Sequence, residues 1–148
     1  MSRSTQKTFK IRFFVDFVDA DPGGVVHFSN YFRFFERAEQ EFYRSIGLGG
    51  FSWFIQNNYG LPRVKVSCTY KSPLRVDDEI EVELKIEKIG RTSIHYSFHY
   101  SFTIHNLTTQ KICGTGEVTV VLVDLKKWQP LDIPDTIIKK IETWSKKV

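Results

Sequence analysis

Hydrophobic and polar residues alternate along this chain with two different periods, and the periods divide it into elements. Phe9, Ile11, Phe13, Val15 and Phe17 alternate with Lys10, Arg12 and Asp16, the period of two expected of a half-buried strand. From Tyr31 the period lengthens. Tyr31, Phe35, Ala38 and Phe42 follow i, i+4, i+7, i+11 as one apolar stripe, and Arg33, Arg37, Gln40 and Arg44 keep the same spacing on the opposite, wet side. A third row, Phe32, Glu36, Glu39 and Tyr43, mixes aromatic and acidic residues. The spacing predicts one long helix, capped by Ser29 or Asn30, ended in a left-handed turn at Gly47 and buried on most of its circumference.

Gly49-Gly50 opens a short aromatic piece, Phe51 to Tyr59, which reads as a second helical turn or a loop packed over the first helix. Period two returns with Val64, Val66, Cys68 and Tyr70; Pro73 suggests a bulge or edge, and Asp77-Asp78 turns the chain into Ile80, Val82, Leu84 and Ile86. Gly90-Arg91 marks the next turn, after which Ile94, Tyr96, Phe98, Tyr100, Phe102 and Ile104 alternate over the longest strand. His105 to Gln110 makes a polar hairpin loop before Ile112 to Leu125, where Gly114 and Gly116 leave room for a close neighbour. Pro134 opens a short helix with Ile137, Ile138, Ile141 and Trp144 as its stripe and Lys146-Lys147 at its favourable dipole end. The expectation is an α+β fold, an antiparallel sheet in meander order wrapped around one long central helix. It forms a single domain with its core at 7–125 and a helical C-terminal appendage at 126–148.

A chain of 148 residues fits one domain with a real core, and 41% hydrophobic with 26% charged residues is the make-up of an ordinary soluble protein. Thirteen Phe residues are a surplus that an apolar cavity, a subunit interface or a plain aromatic core would use. A net charge of +4 suits a phosphorylated small partner better than nucleic acid, since no zinc-ligand set, RNP-like motif or helix-turn-helix pattern accompanies it. Two isolated cysteines, Cys68 and Cys113, fit a reducing compartment. Met1 to Lys7 lacks the apolar core of a secretory signal, and no 18-residue apolar run exists to span a bilayer. The expected location is the cytoplasm.

The chemistry concentrates between Val18 and Tyr31, where two acids, a Pro-Gly-Gly turn and His27 precede a helix start. Backbone N–H groups there lack intrahelical partners and the macrodipole is positive, a suitable place for a reacting carbonyl. The run Asp19-Ala20-Asp21-Pro22-Gly23-Gly24-Val25-Val26-His27-Phe28-Ser29-Asn30-Tyr31 resembles the signature of the 4-hydroxybenzoyl-CoA thioesterase family, roughly D-x-D-x-x-G-x-V-x-x-x-x-Y. Two further blocks fit that family in the same order, Tyr70-Lys71-Ser72-Pro73-Leu74-Arg75-Val76-Asp77-Asp78 and Ile89-Gly90-Arg91-Thr92-Ser93, so the resemblance extends from about Lys7 to Leu125.

That resemblance implies a hot-dog fold and an acyl-CoA thioesterase. The residue matching the second acid, Asp21, attacks the thioester or activates water, and the two roles are not separated by sequence. The backbone N–H of Phe28 meets the oxyanion; Gly24, Val26, Tyr31 and Phe32 fall among the substrate contacts, and Arg91 lies where relatives touch the phosphates of coenzyme A. Related proteins form dimers with sheets joined edge to edge and sites at the subunit interface, and the dimers often pair into tetramers. No cofactor is expected beyond coenzyme A as part of the substrate, although an acyl carrier protein is an alternative carrier.

Elementary chemistry is consistent with this. A thioester carbonyl lacks much of an ester's resonance stabilisation, so an aimed carboxylate suffices, and the sequence has no G-x-S-x-G elbow. Removing one oxyanion donor elsewhere costs about 2.7–4 kcal/mol. Asp19 reads as a turn residue whose partner is the turn backbone. His27 either polarises the carbonyl or packs at the helix start, and Glu36 reads as structural. His95, His99 and His105 show no metal-ligand spacing, so no metal is expected. Phe28, Phe32, Phe51, Trp53, Phe54 and Tyr59 suit an aromatic acyl group or a short to medium aliphatic chain equally. The rival readings are a non-catalytic acyl-CoA or acyl-carrier binding module and, less favoured, a hot-dog enoyl-CoA hydratase.

Overall fold

Thr8–Phe14 forms strand β1 in the computed structural model of the protein, which describes residues 7–91 and 96–146 and, of Arg91 and Tyr96, the backbone alone. The alternation that carried the expected strand to Phe17 breaks at Val15, and Phe17–Asp19 winds into one 3₁₀ turn that leaves Phe17 85% exposed. Local bonding is the reason. The Asp16 N–H donates to the Asp19 carboxylate at 3.1 Å and the Asp19 N–H to the Asp16 carbonyl at 3.0 Å, which replaces a sheet ladder.

Helix α1, Asn30–Ser45, buries Tyr31, Phe34, Phe35, Ala38, Glu39, Phe42 and Tyr43, while Arg33, Arg37 and Arg44 stay exposed. Its expected side-chain cap does not form. Ser29 already has helical angles, φ −67 and ψ −24, and the Asn30 amide donates to the Asp19 carbonyl at 2.8 Å, which ties the helix start to the preceding loop. Gly47, at φ +92, ends the helix in the expected left-handed turn, with the Leu48 N–H donating to the Tyr43 carbonyl at 3.0 Å. The short helix α2, Ser52–Gln56, follows.

The remaining strands are β2 (Tyr59–Gly60), β3 (Arg63–Tyr70), β4 (Glu79–Arg91), β5 (Tyr96–Asn106), β6 (Lys111–Val121) and β7 (Val123–Asp124). Five of them make one antiparallel sheet in the order β1-β4-β5-β6-β3, and β2 pairs with β7. The meander order expected of the sheet holds only for β4, β5 and β6. The connection through α1 and α2 carries the chain from one edge to the other, so β3 enters beside β6.

Two boundaries move. Gly90 and Arg91 are not a turn; β4 runs through both, paired with Ser97 and Tyr96. A bulge between Ile86 and Lys88 inserts Glu87, so Ile89 rather than residue 88 takes the next inward place. β5 continues to Asn106, because that buried amide donates to Asp78 at 2.8 Å and accepts the N–H groups of Thr108 and Thr109. The expected strand residue Ile94 lies outside the described residues.

The sheet wraps around α1. Phe35 stacks on Phe102 with ring centroids 4.7 Å apart, and Tyr31 and Phe35 lie over Gly114 and Gly116, the close neighbours those glycines admit. Helix α3, Asp135–Lys146, adds Ile137 and Ile141 to the same core, and Trp144 meets Phe42 edge-on at 4.9 Å. Among the described residues no helix is long and apolar enough to cross a membrane.

Candidate active site

The acidic loop is fixed by its own backbone and by the segment after β3. The Asp21 N–H donates to the Val25 carbonyl at 2.8 Å and the Gly24 N–H to the Asp21 carbonyl at 2.9 Å, closing a turn in which Gly24 takes φ +82. The Val26 N–H donates to the Leu74 carbonyl at 2.8 Å, and Val25 bridges to Arg75. Asp19 is the organiser of the loop. Its carboxylate holds the Asp16 N–H, the turn-backbone partner expected of it, and its carbonyl accepts both the His27 N–H and the Asn30 amide.

Asp21 is half-buried and its Oδ1 accepts the Gly23 N–H at 2.8 Å. Its other carboxylate oxygen accepts no hydrogen bond from the described residues. Seven residues on, the N–H of Phe28 also lacks an acceptor among the described residues, while its carbonyl accepts the Tyr70 hydroxyl at 2.9 Å. That free N–H stands two residues ahead of a helix of 16 residues, where the macrodipole is positive.

A cleft of about 330 Å³ lies beside it, lined among others by Val26, Phe28, Tyr31, Tyr70, Lys71 and Ser72. Burial, aided by the Cys113, Cys68 and Tyr70 side chains, pushes the Tyr31 phenol up to about 12, so it keeps its proton. The cleft thus brings Val26, Phe28 and Tyr31 together. Asp21 and Gly24 stand in the adjoining turn rather than in the cleft wall. Phe32 sits further along α1, edge-on to Phe35 at 5.8 Å, and does not line the cleft. His27 is exposed and turned aside: its Nδ1 pairs with the Ser29 hydroxyl at 2.8 Å and its ring stacks on Phe28. The Arg91 side chain lies outside the described residues.

Tyr70, Lys71 and Ser72 carry no assigned role at the level of sequence, although they open the second family block. The available signal was a tyrosine at a strand end just ahead of Pro73, which leaves its hydroxyl free to reach another segment. His99 bonds Ser97 and Thr119 on the sheet. Among the described residues no three His, Cys, Asp or Glu side chains converge as a metal-ligand set. What the loop offers chemically is an uncommitted carboxylate oxygen and, seven residues on, an uncommitted backbone donor at a helix start.

Comparison with known proteins agrees with this chemistry. Residues 15–141 match the model of the thioesterase-like superfamily. A putative esterase of Aquifex aeolicus is 42% identical over 86 residues, covering 57% of this chain and 65% of that protein, so the match spans just under two thirds of that relative's length. The acyl-CoA thioester hydrolase YbgC of Escherichia coli O6:H1 is 29% identical over 133 residues, 86% of this chain and 91% of that one. The crystal structure of Slr0204, a 1,4-dihydroxy-2-naphthoyl-CoA thioesterase from Synechocystis, superposes with a TM-score of 0.79 at 22% identity, covering 91% of this chain and 96% of that one. The shared architecture is the hot-dog fold.

Proposed function

The chain belongs to the thioesterase-like superfamily, and from that premise we propose that it hydrolyses acyl-CoA thioesters to a free acid and coenzyme A. The observation that carries the proposal is the pairing, on one loop, of the uncommitted Asp21 oxygen with the uncommitted Phe28 N–H. Asp21 either attacks the thioester carbon, giving a mixed anhydride that water then opens, or takes a proton from the water that attacks. In both routes the carbonyl oxygen gains charge facing the Phe28 N–H, and the sulfur leaves as thiolate and is protonated. Only water is consumed, so no cofactor is needed.

Gly24 lets the backbone approach the substrate, Val26 and Tyr31 wall the thioester, Phe32 extends the apolar surface along α1, and Arg91, by the family resemblance alone, meets the phosphates. His27, held to Ser29, orients the helix start. Acyl carrier protein is the alternative carrier of the same thioester. A homodimer is supported by β3, an edge strand without an outer neighbour among the described residues, whose Val64, Val66 and Tyr70 are 59%, 48% and 45% exposed. A dimer of dimers is the larger assembly. The unpaired thiols Cys68 and Cys113 support a cytoplasmic location.

The test is thiol release from a panel of aromatic and aliphatic acyl-CoAs by the native chain and by Asp21→Asn at equal folded concentration. Turnover is expected to fall about 10²–10⁴-fold with binding little changed. Binding without cleavage, indifferent to the substitution, would replace hydrolysis with an acyl-CoA binding module.

A further inference from the structure

Asp78 is a buried carboxylate for which the proposed chemistry has no use. It stands one residue ahead of β4, and both ends of the loop that carries Asp21 run beside it. At the entry to that loop the Val15 N–H donates to the Asp78 carbonyl at 2.9 Å, and the Asp77 N–H donates to the Val15 carbonyl at 3.0 Å. At the exit the hold is indirect. The Oδ2 of Asp78 accepts the Arg75 N–H at 2.8 Å, and the carbonyl of that same Leu74–Arg75 peptide accepts the Val26 N–H at 2.8 Å.

A peptide group is planar, so fixing the direction of its N–H fixes that of its carbonyl. Asp78 therefore aims the Leu74 carbonyl at Val26 from the far side of one peptide plane. The bond to the carboxylate is charge-assisted, and it polarises the peptide so that the carbonyl accepts more strongly. Asn106, fully buried, aims the carboxylate in turn: its Nδ2 donates to the same Oδ2 at 2.8 Å, while its Oδ1 accepts the Thr108 and Thr109 N–H groups at 2.9 and 3.2 Å. The relay thus runs from the end of β5, the middle strand of the sheet, to the residue two places ahead of the Phe28 N–H. Closing the turn does not by itself account for a charge there. The Asp78 N–H already closes it onto the Arg75 carbonyl at 3.1 Å, and a buried carboxylate costs free energy that an uncharged acceptor would not. What the carboxylate adds is the grip on the Leu74–Arg75 peptide.

We propose that Asp78 is a positioning residue for thioester hydrolysis: by holding Val15 through its own carbonyl and Val26 through the Leu74–Arg75 peptide, it fixes the places of Asp21 and of the Phe28 N–H. This rests on the thioesterase reading and adds to it the group, outside the loop, that secures both of the loop's ends.

The experiment exchanges the pair. Asp78→Asn sets one amide against another at Asn106, and Asn106→Asp sets two carboxylates together. The double exchange restores an amide donating to a carboxylate, with the Arg75, Thr108 and Thr109 N–H groups still accepted. In each variant kcat and KM are measured on the acyl-CoA that the native chain cleaves fastest, and exchange of the Val26 amide hydrogen is followed by NMR. Each single variant is expected to lose about 10²-fold in kcat with KM little changed, the scale of a misplacement of about 1 Å. Its Val26 hydrogen is expected to exchange about tenfold faster or more, and the double exchange to recover most of both losses. Ile141→Val, which thins the core under α3 away from the loop, is the control for stability: it is expected to melt lower with kcat unchanged. A loss of kcat that only follows the folded fraction, native kcat in Asp78→Asn, or a folded double exchange that does not restore kcat overturns the proposal. Should the double exchange not fold, Asp78→Asn decides by the same two readouts. If the native chain cleaves no acyl-CoA, the thioesterase reading fails separately. Val26 exchange then decides for Asp78, faster exchange in the single variants reversed in the double supporting its hold on the loop and unchanged exchange overturning it.

Discussion

Tyr70 joins two segments that the chain keeps 42 residues apart, and its hydroxyl is the side-chain group that holds the Phe28 carbonyl. Because the Phe28 carbonyl adjoins the free N–H along the chain, this bond helps to set the direction in which the proposed oxyanion donor points. Tyr70→Phe keeps the ring contact with Tyr31 at 4.7 Å and removes only the bond. The expected outcome is a loss of about 1 kcal/mol in urea unfolding, because the hydroxyl is exposed and water replaces it. A several-fold fall in kcat at similar KM should accompany it, and unchanged kcat would show that the donor is held by the loop alone. The same separation in sequence explains what could be read in advance. The two acids, the Pro-Gly-Gly turn and the helix start are local, so turn and helix-start chemistry marked the stretch, while the family resemblance singled out Asp21 and Phe28 within it. The bond from the Tyr70 hydroxyl to the Phe28 carbonyl, and that from the Arg63 guanidinium to the buried Glu39 carboxylate at 2.6 Å, depend on which strand lands beside α1, and nothing local encodes that.

Among the elements, α1 meets β6 where the Phe35 ring lies over Gly116. A Cβ at Gly116 would overlap the Phe35 ring and come within 2.8 Å of the Ser67 carbonyl, so neither the helix nor β3 can yield without shifting. Gly116→Ala is therefore expected to destabilise the fold by about 1–3 kcal/mol, a melting temperature lower by several degrees in a thermal scan. A neutral result would mean that α1 can slide on the sheet. Alternation located every long strand, because one face of the sheet is apolar against α1 and the other polar. It failed where something other than the apolar face chose the backbone. The Asp16–Asp19 bonds end β1 early, the extra residue Glu87 changes which parity faces inward, and buried Asn106 prolongs β5 because its amide is satisfied there. The strand order was also hidden, since periodicity marks strands and is silent on their neighbours.

At the scale of the whole molecule, β3 is the element that asks for company. Its outer backbone edge has no neighbour among the described residues, and its Val64 and Val66 side chains stay exposed. Val66→Lys places a charge in the middle of that edge and is expected to raise the dimer dissociation constant by about tenfold or more, read by sedimentation velocity over a concentration series. A native chain already monomeric at micromolar concentration would remove the edge-to-edge assembly. The strand that would carry such pairing ends at Tyr70, the residue that secures the Phe28 carbonyl. In the proposed dimer, activity would therefore depend on abundance: as dilution frees β3, the clamp on the proposed catalytic loop loosens with it, and the rate per chain is expected to fall before any chain has unfolded.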